Sequence, residues 1–322
     1  MVTGLANKVL RVDLSSRRVW TEEPDELFYR RYLGGAGVVG YYLLKEMTPR
    51  VDALAPENIL VFAPGPVTGT NMPGGSRLCV GAKSPLSGGI AKAESGGYFG
   101  YELKRAGYDA LVVQGRAGHP VYLWINNGAV EIKDASGLWG RTVLATQDAI
   151  EAELGEKRVR TAAIGPAGEN LAAISCIMTD VRRAAGRGGL GAVMGSKNLK
   201  CVAVKGNTNP KAADPEKYRD MARWMNNNYM HYGNAARFRE LGTGADMVGG
   251  NAIGNLPVLN WRGGRFDDVA MIDAEALKNS YRIAMDACPA CQIRCKKVVE
   301  LENDAYKVDP RNGGPEYETL AG

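Results

Sequence analysis

The sequence predicts an α+β protein in which a β-rich N-terminal domain precedes the start of a mainly helical domain. Short runs rich in Val, Ile and aromatic residues recur between residues 8 and 205, bounded by Gly, Pro, Asn or Asp, which is typical of strands. Beyond residue 207 the apolar residues recur at helical spacing instead. The turn-rich segment Asn207-Thr208-Asn209-Pro210 separates the two patterns. We therefore predict domains at residues 1–207 and 208–322.

The individual elements follow from these runs in chain order. Strands are predicted at residues 8–14, 17–20, 59–63, 77–82, 110–114, 121–126, 130–133, 160–164, 173–178 and 199–205. Helices are predicted where apolar residues share one face, at residues 35–46, 142–154 and 215–241. Asp214 is placed to cap the last of these helices, with Pro215 at its first position, where the missing proline N–H costs the helix nothing.

Composition places the chain among ordinary globular proteins. Of its 322 residues 45% are hydrophobic and 23% charged, and the net charge of +5 is too small to indicate a nucleic-acid partner but fits an anionic ligand. No apolar run reaches about 18 residues, so no membrane span is expected. No N-terminal signal is visible, and a reducing cytoplasmic compartment is the default. There the six cysteines are expected to be metal ligands or core residues rather than disulfides.

Three cysteines form the run Cys288-Pro-Ala-Cys291-Gln-Ile-Arg-Cys295. A C-x2-C-x3-C run places three thiolates on one tight turn, as an iron–sulfur cluster requires of a short segment. A [4Fe–4S] cluster takes four ligands, so the fourth must come from elsewhere. Zinc is the alternative, although zinc ribbons usually pair two C-x2-C units or add histidines, and neither histidine of the chain lies near the run.

The other cysteines and the histidines are predicted to be structural. Cys79, Cys176 and Cys201 each lie in an apolar strand-like run, which favours buried core thiols. His119 lies at a predicted turn and is expected to be exposed. His231 is expected near the end of a helix rather than at a metal.

Glycine-rich stretches with arginine are candidate anion sites. They are Gly74-Gly75-Ser76-Arg77 and residues 182–191. Glycine lets backbone N–H groups approach an anion and arginine adds bidentate phosphate contacts, whereas the alternative is a solvated turn. Residues 94–100 join a turn to a helical pattern, and if Ser95 caps that helix, its N–H groups face an anion. No stretch matches a P-loop, and the G-x-G-x-x-G at residues 35–40 lacks the preceding strand of a dinucleotide fold.

A set of stretches spread along the chain carries a family resemblance. They are Gly65-Pro66-Val67-Thr68-Gly69-Thr70, Lys83-Ser84-Pro85-Leu86-Ser87-Gly88, Ser95-Gly96-Gly97-Tyr98-Phe99-Gly100, Ala106-Gly107-Tyr108-Asp109-Ala110, Ile164-Gly165-Pro166-Ala167-Gly168-Glu169-Asn170, residues 183–200 and Gly314-Pro315-Glu316-Tyr317-Glu318. With the cysteine run, they resemble the N-terminal half of the tungsten-containing aldehyde ferredoxin oxidoreductase family. The resemblance covers nearly the whole chain, in order.

The resemblance implies a bis-pterin enzyme. Members of the family hold tungsten or molybdenum between two pterin dithiolenes on a β-rich base domain, beside a [4Fe–4S] cluster that passes electrons to ferredoxin. By position, Arg77 resembles an arginine that bridges cluster and pterin, and Glu318 resembles the glutamate beside the metal. Pterin and phosphate contacts are implied for Gly96, Arg183, Ala184, Gly186 and Arg187. The complete protein is expected to be a homodimer.

The chain departs from the family in two respects. Glu94 stands where aldehyde-oxidising relatives carry an asparagine that ligates the magnesium between the pterin phosphates. A carboxylate also ligates magnesium, so a magnesium site of altered charge is expected. The family's C-terminal pterin motifs, its active-site histidine and its fourth cluster cysteine are expected beyond Gly322. We therefore expect the chain to be the first half of a longer enzyme.

The function predicted from sequence is oxidation of an aldehyde to its carboxylic acid, with electrons leaving through the cluster to ferredoxin. Glu318 is predicted to be catalytic and to assist proton transfer, although without the resemblance it would be assigned as a surface carboxylate. One alternative is a family member with another reaction, such as reduction of an aromatic acyl-thioester. Another is a non-catalytic half-length module that works with a second chain.

Overall fold

The computed structural model describes residues 3–316, and the chain divides into two compact units. The first unit ends at Arg219 and the second begins at Asp220. The predicted α+β class is confirmed, because mixed sheets and helices together make up the fold. The predicted domain boundary after residue 207 follows the last strand of the first unit and stays a prediction.

Two six-stranded sheets form the frame of the first unit. The first sheet contains β1 (Val9–Asp13), β2 (Arg18–Glu22), β3 (Leu60–Pro64), β4 (Leu78–Lys83), β5 (Ile90–Ser95) and β6 (Ala110–Gln114), in the order β2-β1-β6-β3-β4-β5. The second contains β7 (Val121–Asn126), β8 (Ala129–Asp134), β9 (Arg160–Ala163), β10 (Ile177–Thr179), β11 (Arg183–Ala185) and β12 (Leu199–Lys205), in the order β11-β10-β9-β12-β7-β8. Both sheets are mixed, because β1 pairs with β6 and β12 with β7 in parallel, while their other ladders are antiparallel.

Two of the helices lie between the sheets. The helices of this unit are α1 (Glu26–Tyr32), α2 (Gly35–Glu46), α3 (Phe99–Arg105), α4 (Val143–Leu154), α5 (Pro166–Glu169) and α6 (Leu190–Ser196). Both α3 and α6 contact strands of each sheet. Their residues Phe99 and Leu190 join Phe62 of β3 and Val202 of β12 in one buried apolar core, and this burial is the main force that holds the two sheets together.

Helices also cover the outer faces of the sheets. Val39 of α2 packs with Val61 of β3 in a second apolar cluster. Ile150 of α4 packs with Tyr122 of β7 in a third. The first of these contacts requires a glycine in β4, because a Cβ at Gly81 would lie 2.3 Å from a methyl group of Val39. The sheets are therefore buried on both faces over most of their area.

Buried lysine side chains form ion pairs inside the first unit. Lys104 of α3 binds Asp109 at 2.5 Å, and the pair is almost fully buried. Lys200 of β12 binds Glu169, and its ammonium also donates to the Arg141 carbonyl at 2.8 Å. A buried ammonium loses its hydration, so its charge must be paired. Asp109, Glu169 and Lys200 all belong to the stretches that carry the family resemblance, so part of that resemblance reflects the fold.

The predicted strands omit β5 and β11, and one is misplaced. β5 is an edge strand whose Lys92 and Glu94 are exposed, so its apolar content is low. β11 has three residues and lies inside the arginine–glycine stretch. Of the predicted strand 173–178 only the end enters β10, because the Ser175 N–H donates to the Ala172 carbonyl at 2.8 Å and closes a turn.

The helix predicted over residues 215–241 is two helices. They are α7 (Pro215–Asn228), within which the two units divide, and α8 (Ala235–Leu241), with a 3-10 turn at Tyr229–His231. The break falls near Gly233, whose φ of +52° does not continue a right-handed helix. The predicted cap is confirmed, because Asp214 Oδ1 accepts the N–H groups of Glu216 and Lys217 at 3.1 and 2.9 Å.

The second unit combines short helices with small antiparallel ladders. Its further elements are α9 (Met247–Ala252), α10 (Val269–Ile272), α11 (Ala274–Ser280), β13 (Arg282–Asp286), β14 (Lys296–Val299), β15 (Leu301–Glu302) and β16 (Lys307–Val308). β13 pairs with β14 and β15 with β16, so the mainly helical expectation overlooked these strands. Between residues 3 and 316, no helix is both long and apolar enough to span a membrane.

Limited trypsin digestion of the native chain is expected to cut first after Lys211. This residue is exposed in the segment between β12 and α7, which has no regular structure. Thr208 precedes it and is held to α3, since its N–H donates to the Arg105 carbonyl at 3.1 Å and its carbonyl accepts Arg105 Nε at 2.9 Å. Mass spectrometry of the early fragments identifies the bond. A first cut within residues 9–205 would contradict a domain boundary here.

Candidate functional site

The predicted cofactor residues of the first unit begin at paired ends of β4 and β5. Leu78 pairs with Ser95 and Cys79 with Glu94 in this antiparallel ladder. Continued by one residue, the register places Arg77 opposite Gly96. Side chains that lie opposite each other share a face of the sheet, and both Arg77 and Glu94 are exposed. The ladder therefore presents a cation and a carboxylate beside a glycine.

Buried hydroxyl groups fix the backbone around Arg77. Thr68 Oγ1 lies 2.9 Å from the carbonyl oxygens of both Gly75 and Arg77, and it accepts the Arg77 N–H at 3.1 Å. Ser76 Oγ donates to the Gly97 carbonyl at 2.6 Å. The loop before β4 and the turn after β5 are thus held in place by side chains from the stretches singled out in the sequence.

Asp180 joins Arg183 to this turn, and sequence analysis missed it. Its Oδ2 accepts the N–H of Tyr98 at 2.5 Å and that of Phe99 at 3.2 Å. A Cβ at Gly97, whose φ is +93°, would lie 2.3 Å from that oxygen and 2.6 Å from Cδ of Arg183. Gly97 is therefore a position that excludes a side chain, because Asp180 and Arg183 fill the space beside its buried backbone. Asp180 has a φ of +51°, and no sequence pattern marks it as a residue with this backbone conformation.

The predicted role of Ser95 is wrong. Ser95 ends β5, and α3 begins at Phe99 with the Asp180 carboxylate on its first N–H groups. The N–H groups of Tyr98 and Phe99 are therefore already bound by a carboxylate of the protein itself. Burial raises the pKa of Asp180, while the Tyr98 N–H and the charges of Arg160 and Arg183 lower it in part. Its other oxygen, Oδ1, is buried and has no hydrogen-bond partner among the described residues.

Glu94, the predicted magnesium ligand, already forms an ion pair. Lys92 Nζ lies 2.5 Å from Glu94 Oε1, and both side chains are about half exposed. The hydrogen bond from Lys92 lowers the pKa of Glu94, and the charges of Lys92 and Arg77 add to this effect. Glu94 is thus a carboxylate at neutral pH, a donor that suits magnesium. Lys92 contacts one of its two oxygens, so Oε2 is the oxygen that would face a cation.

The arginine–glycine stretch lies against the same strand. Arg183 and Ala184 belong to β11, and the loop that follows reaches β5, since a Cβ at Gly188 would lie 2.4 Å from Cβ of Ala91. Arg187 is exposed on this loop, one residue before Gly188. The structure therefore gathers the predicted residues Arg77, Glu94, Gly96, Arg183, Ala184, Gly186 and Arg187 around two strand ends and one loop. Arginines beside accessible backbone suit a phosphate-bearing ligand, and the binding role stays a prediction.

The predicted cluster cysteines lie on one loop of the second unit, residues 287–295, between β13 and β14. Cys288, Cys291 and Cys295 are half-buried. Ala290 and Arg294 each precede a cysteine and have φ values of +55° and +51°, so the backbone turns sharply before both thiols. Within residues 3–316, no three His, Cys, Asp or Glu side chains are placed to hold one metal ion. A cluster takes each thiolate on a different iron, and three thiolates match its donor chemistry; ligation stays a prediction.

The predicted catalytic residue, Glu318, lies outside the described residues. Glu316, two positions earlier, is described, and its carboxylate lies between two lysines. Lys296 Nζ is 2.9 Å from Oε1, and Lys297 Nζ is 3.3 Å from Oε2. Both lysines begin β14 directly after Cys295. Glu316 is therefore held beside the strand that follows the cysteine loop.

Cys79, Cys201 and His119 lie where the sequence predicted, whereas Cys176 is half-buried just before β10 and is not the buried strand thiol that was predicted. Cys79 and Cys201 are buried in apolar clusters. Burial raises the pKa of Cys79 to about 11, and it raises that of Cys201 further. Cys176 is half-buried, with its thiol 3.6 Å from the sulfur of Met178. His119 is exposed. Thiols with raised pKa values are poor thiolate ligands.

Comparison with known proteins gives consistent matches along both units. The N-terminal domain model of aldehyde ferredoxin oxidoreductase matches residues 9–206, and the model of domains 2 and 3 matches residues 218–322. The chain is 44% identical over 321 residues to a tungsten-containing aldehyde ferredoxin oxidoreductase of Pyrococcus furiosus, covering 98% of this chain and 52% of that protein. It is 34% identical over 334 residues to the WOR-like subunit of an aliphatic sulfonate oxidoreductase of the same organism, with the same coverage.

A solved structure is also similar. The active-site complex BamBC of benzoyl-coenzyme A reductase with 1,5-dienoyl-CoA superposes with a TM-score of 0.84 at 33% identity, covering 94% of this chain and 48% of that chain. The chain thus spans about half the length of the relatives it matches. Because both family models match in order and together cover nearly all of the residues, this chain belongs to the aldehyde ferredoxin oxidoreductase family.

Proposed function

We propose that this chain holds a bis-pterin with tungsten or molybdenum, and a [4Fe–4S] cluster, in a cytoplasmic homodimeric enzyme that oxidises an aldehyde to its carboxylic acid. Electrons then pass to ferredoxin or a similar carrier. The observation that carries the proposal is the face formed by exposed Arg77, which lies opposite Gly96, and half-buried Arg183, which packs against Gly97, with exposed Arg187 on the loop after β11. Such a face suits the phosphates of pterin cofactors, and the chain is 44% identical to a tungsten-containing relative.

The residues of the first unit have binding roles in this proposal. The three arginines hold the phosphates, and Gly96, Ala184 and Gly186 let the ligand approach the backbone. Glu94 contributes an oxygen to a magnesium ion between those phosphates, in competition with Lys92, which binds its Oε1 at 2.5 Å. When bound, the pterin-held metal supplies Lewis acidity and redox chemistry. The protein supplies position and charge.

The second unit has two roles. Cys288, Cys291 and Cys295 hold three corners of the cluster, and a fourth ligand comes from outside this chain segment. Glu318 accepts one of the two protons that the oxidation of an aldehyde and water to the acid releases, as a positioned carboxylate does in general base catalysis, and the other proton goes to solvent. Water supplies the oxygen of the acid, and the two electrons leave one at a time through the cluster.

A second candidate reaction is the reduction of an aromatic acyl-thioester. The observation that favours it is the TM-score of 0.84 with the benzoyl-coenzyme A reductase complex. Turnover assays on the holoprotein separate the two reactions, with an aldehyde series and an electron acceptor in one arm and benzoyl-CoA with a low-potential donor in the other. We expect turnover in the aldehyde arm. Turnover with benzoyl-CoA alone would assign the second reaction.

Metal analysis of the holoprotein, purified without oxygen, tests the cofactors. We expect iron and acid-labile sulfide in equal amounts, near four of each per chain, together with tungsten or molybdenum, because a [4Fe–4S] cluster has that composition. Cys291→Ser should remove most of the iron, while Cys201→Ser, which changes a buried core thiol, should retain it. Stoichiometric zinc without iron would contradict the cluster.

A further inference from the structure

Two buried lysines directly follow the last cysteine of the loop. The Lys297 side chain is 1% exposed and that of Lys296 is 10% exposed. Their ammonium groups bind different oxygens of one carboxylate, at 2.9 Å for Lys296 and 3.3 Å for Lys297, and this carboxylate belongs to Glu316. We call these three residues the lysine–glutamate clamp.

Among the described residues, the other hydrogen-bond partners of the two ammonium groups are neutral. Lys296 Nζ donates to the Gly314 carbonyl at 3.0 Å. Lys297 Nζ lies 2.5 Å from the Thr243 carbonyl and 3.3 Å from its hydroxyl. Among the groups that these nitrogens contact, two cations thus face one carboxylate. With both lysines protonated, the clamp carries one net positive charge, and its two nitrogens lie on buried side chains where salt screens them little.

The clamp is tied to the backbone of the cysteine loop. Lys296 is the neighbour of Cys295 in the chain, and a Cβ at Gly242 would lie 2.4 Å from the Cys295 carbonyl. Thr243, the next residue, receives the Lys297 ammonium. Across the hairpin, Asp286 pairs with Lys296 in the ladder. None of the substitutions proposed below changes Asp286, so its charge is the same in every variant. The charge of the clamp is thus held close to the backbone of the third cysteine.

We propose that the lysine–glutamate clamp sets the reduction potential of the cluster on the cysteine loop, by holding a net positive charge beside Cys295. The inference rests on the proposed function, since it requires the cluster. Reduction adds one electron to a cluster that is already anionic, and a nearby positive charge stabilises that added charge. The clamp raises the potential and exchanges no electron or proton itself. Its residues act through the cluster and are positioning residues.

Charge and geometry can be separated by four variants of the holoprotein, titrated at one pH with the reduced cluster followed by electron paramagnetic resonance. Glu316→Gln makes the clamp more positive and should raise the potential. Lys297→Met makes it neutral and should lower the potential. Each change should be about tenfold in the reduced-to-oxidised ratio at a fixed applied potential, or about 59 mV for one electron. The double variant restores the net charge and should return the potential close to that of the unmodified protein.

The double variant breaks the same contacts as the single variants. If the clamp acted only through structure, the reduction potential of the double variant would stay shifted from that of the unmodified protein. Lys297→Arg, the fourth variant, keeps the charge and should keep the potential. It takes the place of Lys297→Met if that variant fails to assemble a cluster. Lys307→Met is the matched control, because Lys307 is 74% exposed and pairs with Glu302 at the surface. Single variants with shifts no larger than this control would overturn the inference. A protein without iron and sulfide would instead overturn the proposed function.

Discussion

Lys200→Met is expected to lower the free energy of unfolding by about 3–5 kcal/mol, the usual cost of removing one partner of a buried ion pair. The Lys200 side chain is fully buried and its partner Glu169 is 4% exposed. The substitution leaves the Glu169 carboxylate in the core without its cation, and it leaves the Arg141 carbonyl without its donor. Hydrogen exchange of the β9 and β12 amides in the native chain measures the loss locally, which avoids assuming that both units unfold together.

Two further variants assign the effect to the pair. The double variant Lys200→Met/Glu169→Met removes both charges and should recover much of the loss, although the Gly140 N–H, which donates to Glu169 at 2.8 Å, loses its acceptor. Glu26→Gln breaks an exposed pair with Arg30 on α1 and should cost less than about 0.5 kcal/mol. A loss below about 1 kcal/mol for Lys200→Met would show that the carboxylate finds water or another partner.

Buried pairs of this kind explain why residues of the family stretches are not all site residues. Asp109 pairs with Lys104 in the core, and Glu169 pairs with Lys200. Thr68 bonds the backbone of Gly75 and Arg77. A motif read from sequence does not separate these roles, because a buried carboxylate and a catalytic carboxylate are the same letter. The separation comes from burial and from the partner.

The sequence predicted the elements whose hydrophobic pattern was unambiguous. The strand predicted at residues 121–126 and the helix at 35–46 match β7 and α2 residue for residue. Strand β7 is buried on both faces, so its sequence is a continuous apolar run. The edge strand β5 was missed because its exposed face carries Lys92 and Glu94. β14 was missed because both of its buried lysines look like surface residues in a sequence.

The candidate site was predictable where it depends on glycine and arginine and not where it depends on tertiary contacts. The turn at Gly97 is a sequence feature, and its φ of +93° agrees with the choice of glycine. Asp180 is far from Tyr98 in the sequence, yet its carboxylate accepts the Tyr98 N–H at 2.5 Å. The clamp residues Lys296 and Glu316 likewise meet across 20 positions. No periodicity in a single sequence reports such pairs.

Arg183→Ala is expected to lower the affinity for the pterin cofactor by about 10-fold to 150-fold, and therefore to lower the pterin and tungsten content of the holoprotein. One charge-assisted contact contributes about 1.5–3 kcal/mol, and each 1.4 kcal/mol is about tenfold. Arg183 packs against Gly97, where a Cβ would be 2.6 Å from its Cδ, so its side chain lies next to Gly96, a proposed ligand contact. Tungsten by mass spectrometry and pterin by fluorescence, each per chain, measure the loss.

Three comparisons make the result specific to this arginine. Arg183→Lys keeps the charge but not the bidentate geometry, so an intermediate loss is expected. Arg30→Ala changes an exposed arginine of α1 and should keep full cofactor content. Iron should be unchanged in all three, because the cysteines lie on a loop of the second unit. Arg183→Lys also controls for the fold, since it keeps a positive charge beside the buried Asp180, whereas Arg183→Ala removes it. Full tungsten in Arg183→Ala would mean that the guanidinium is solvated and that the glycine turn binds without it.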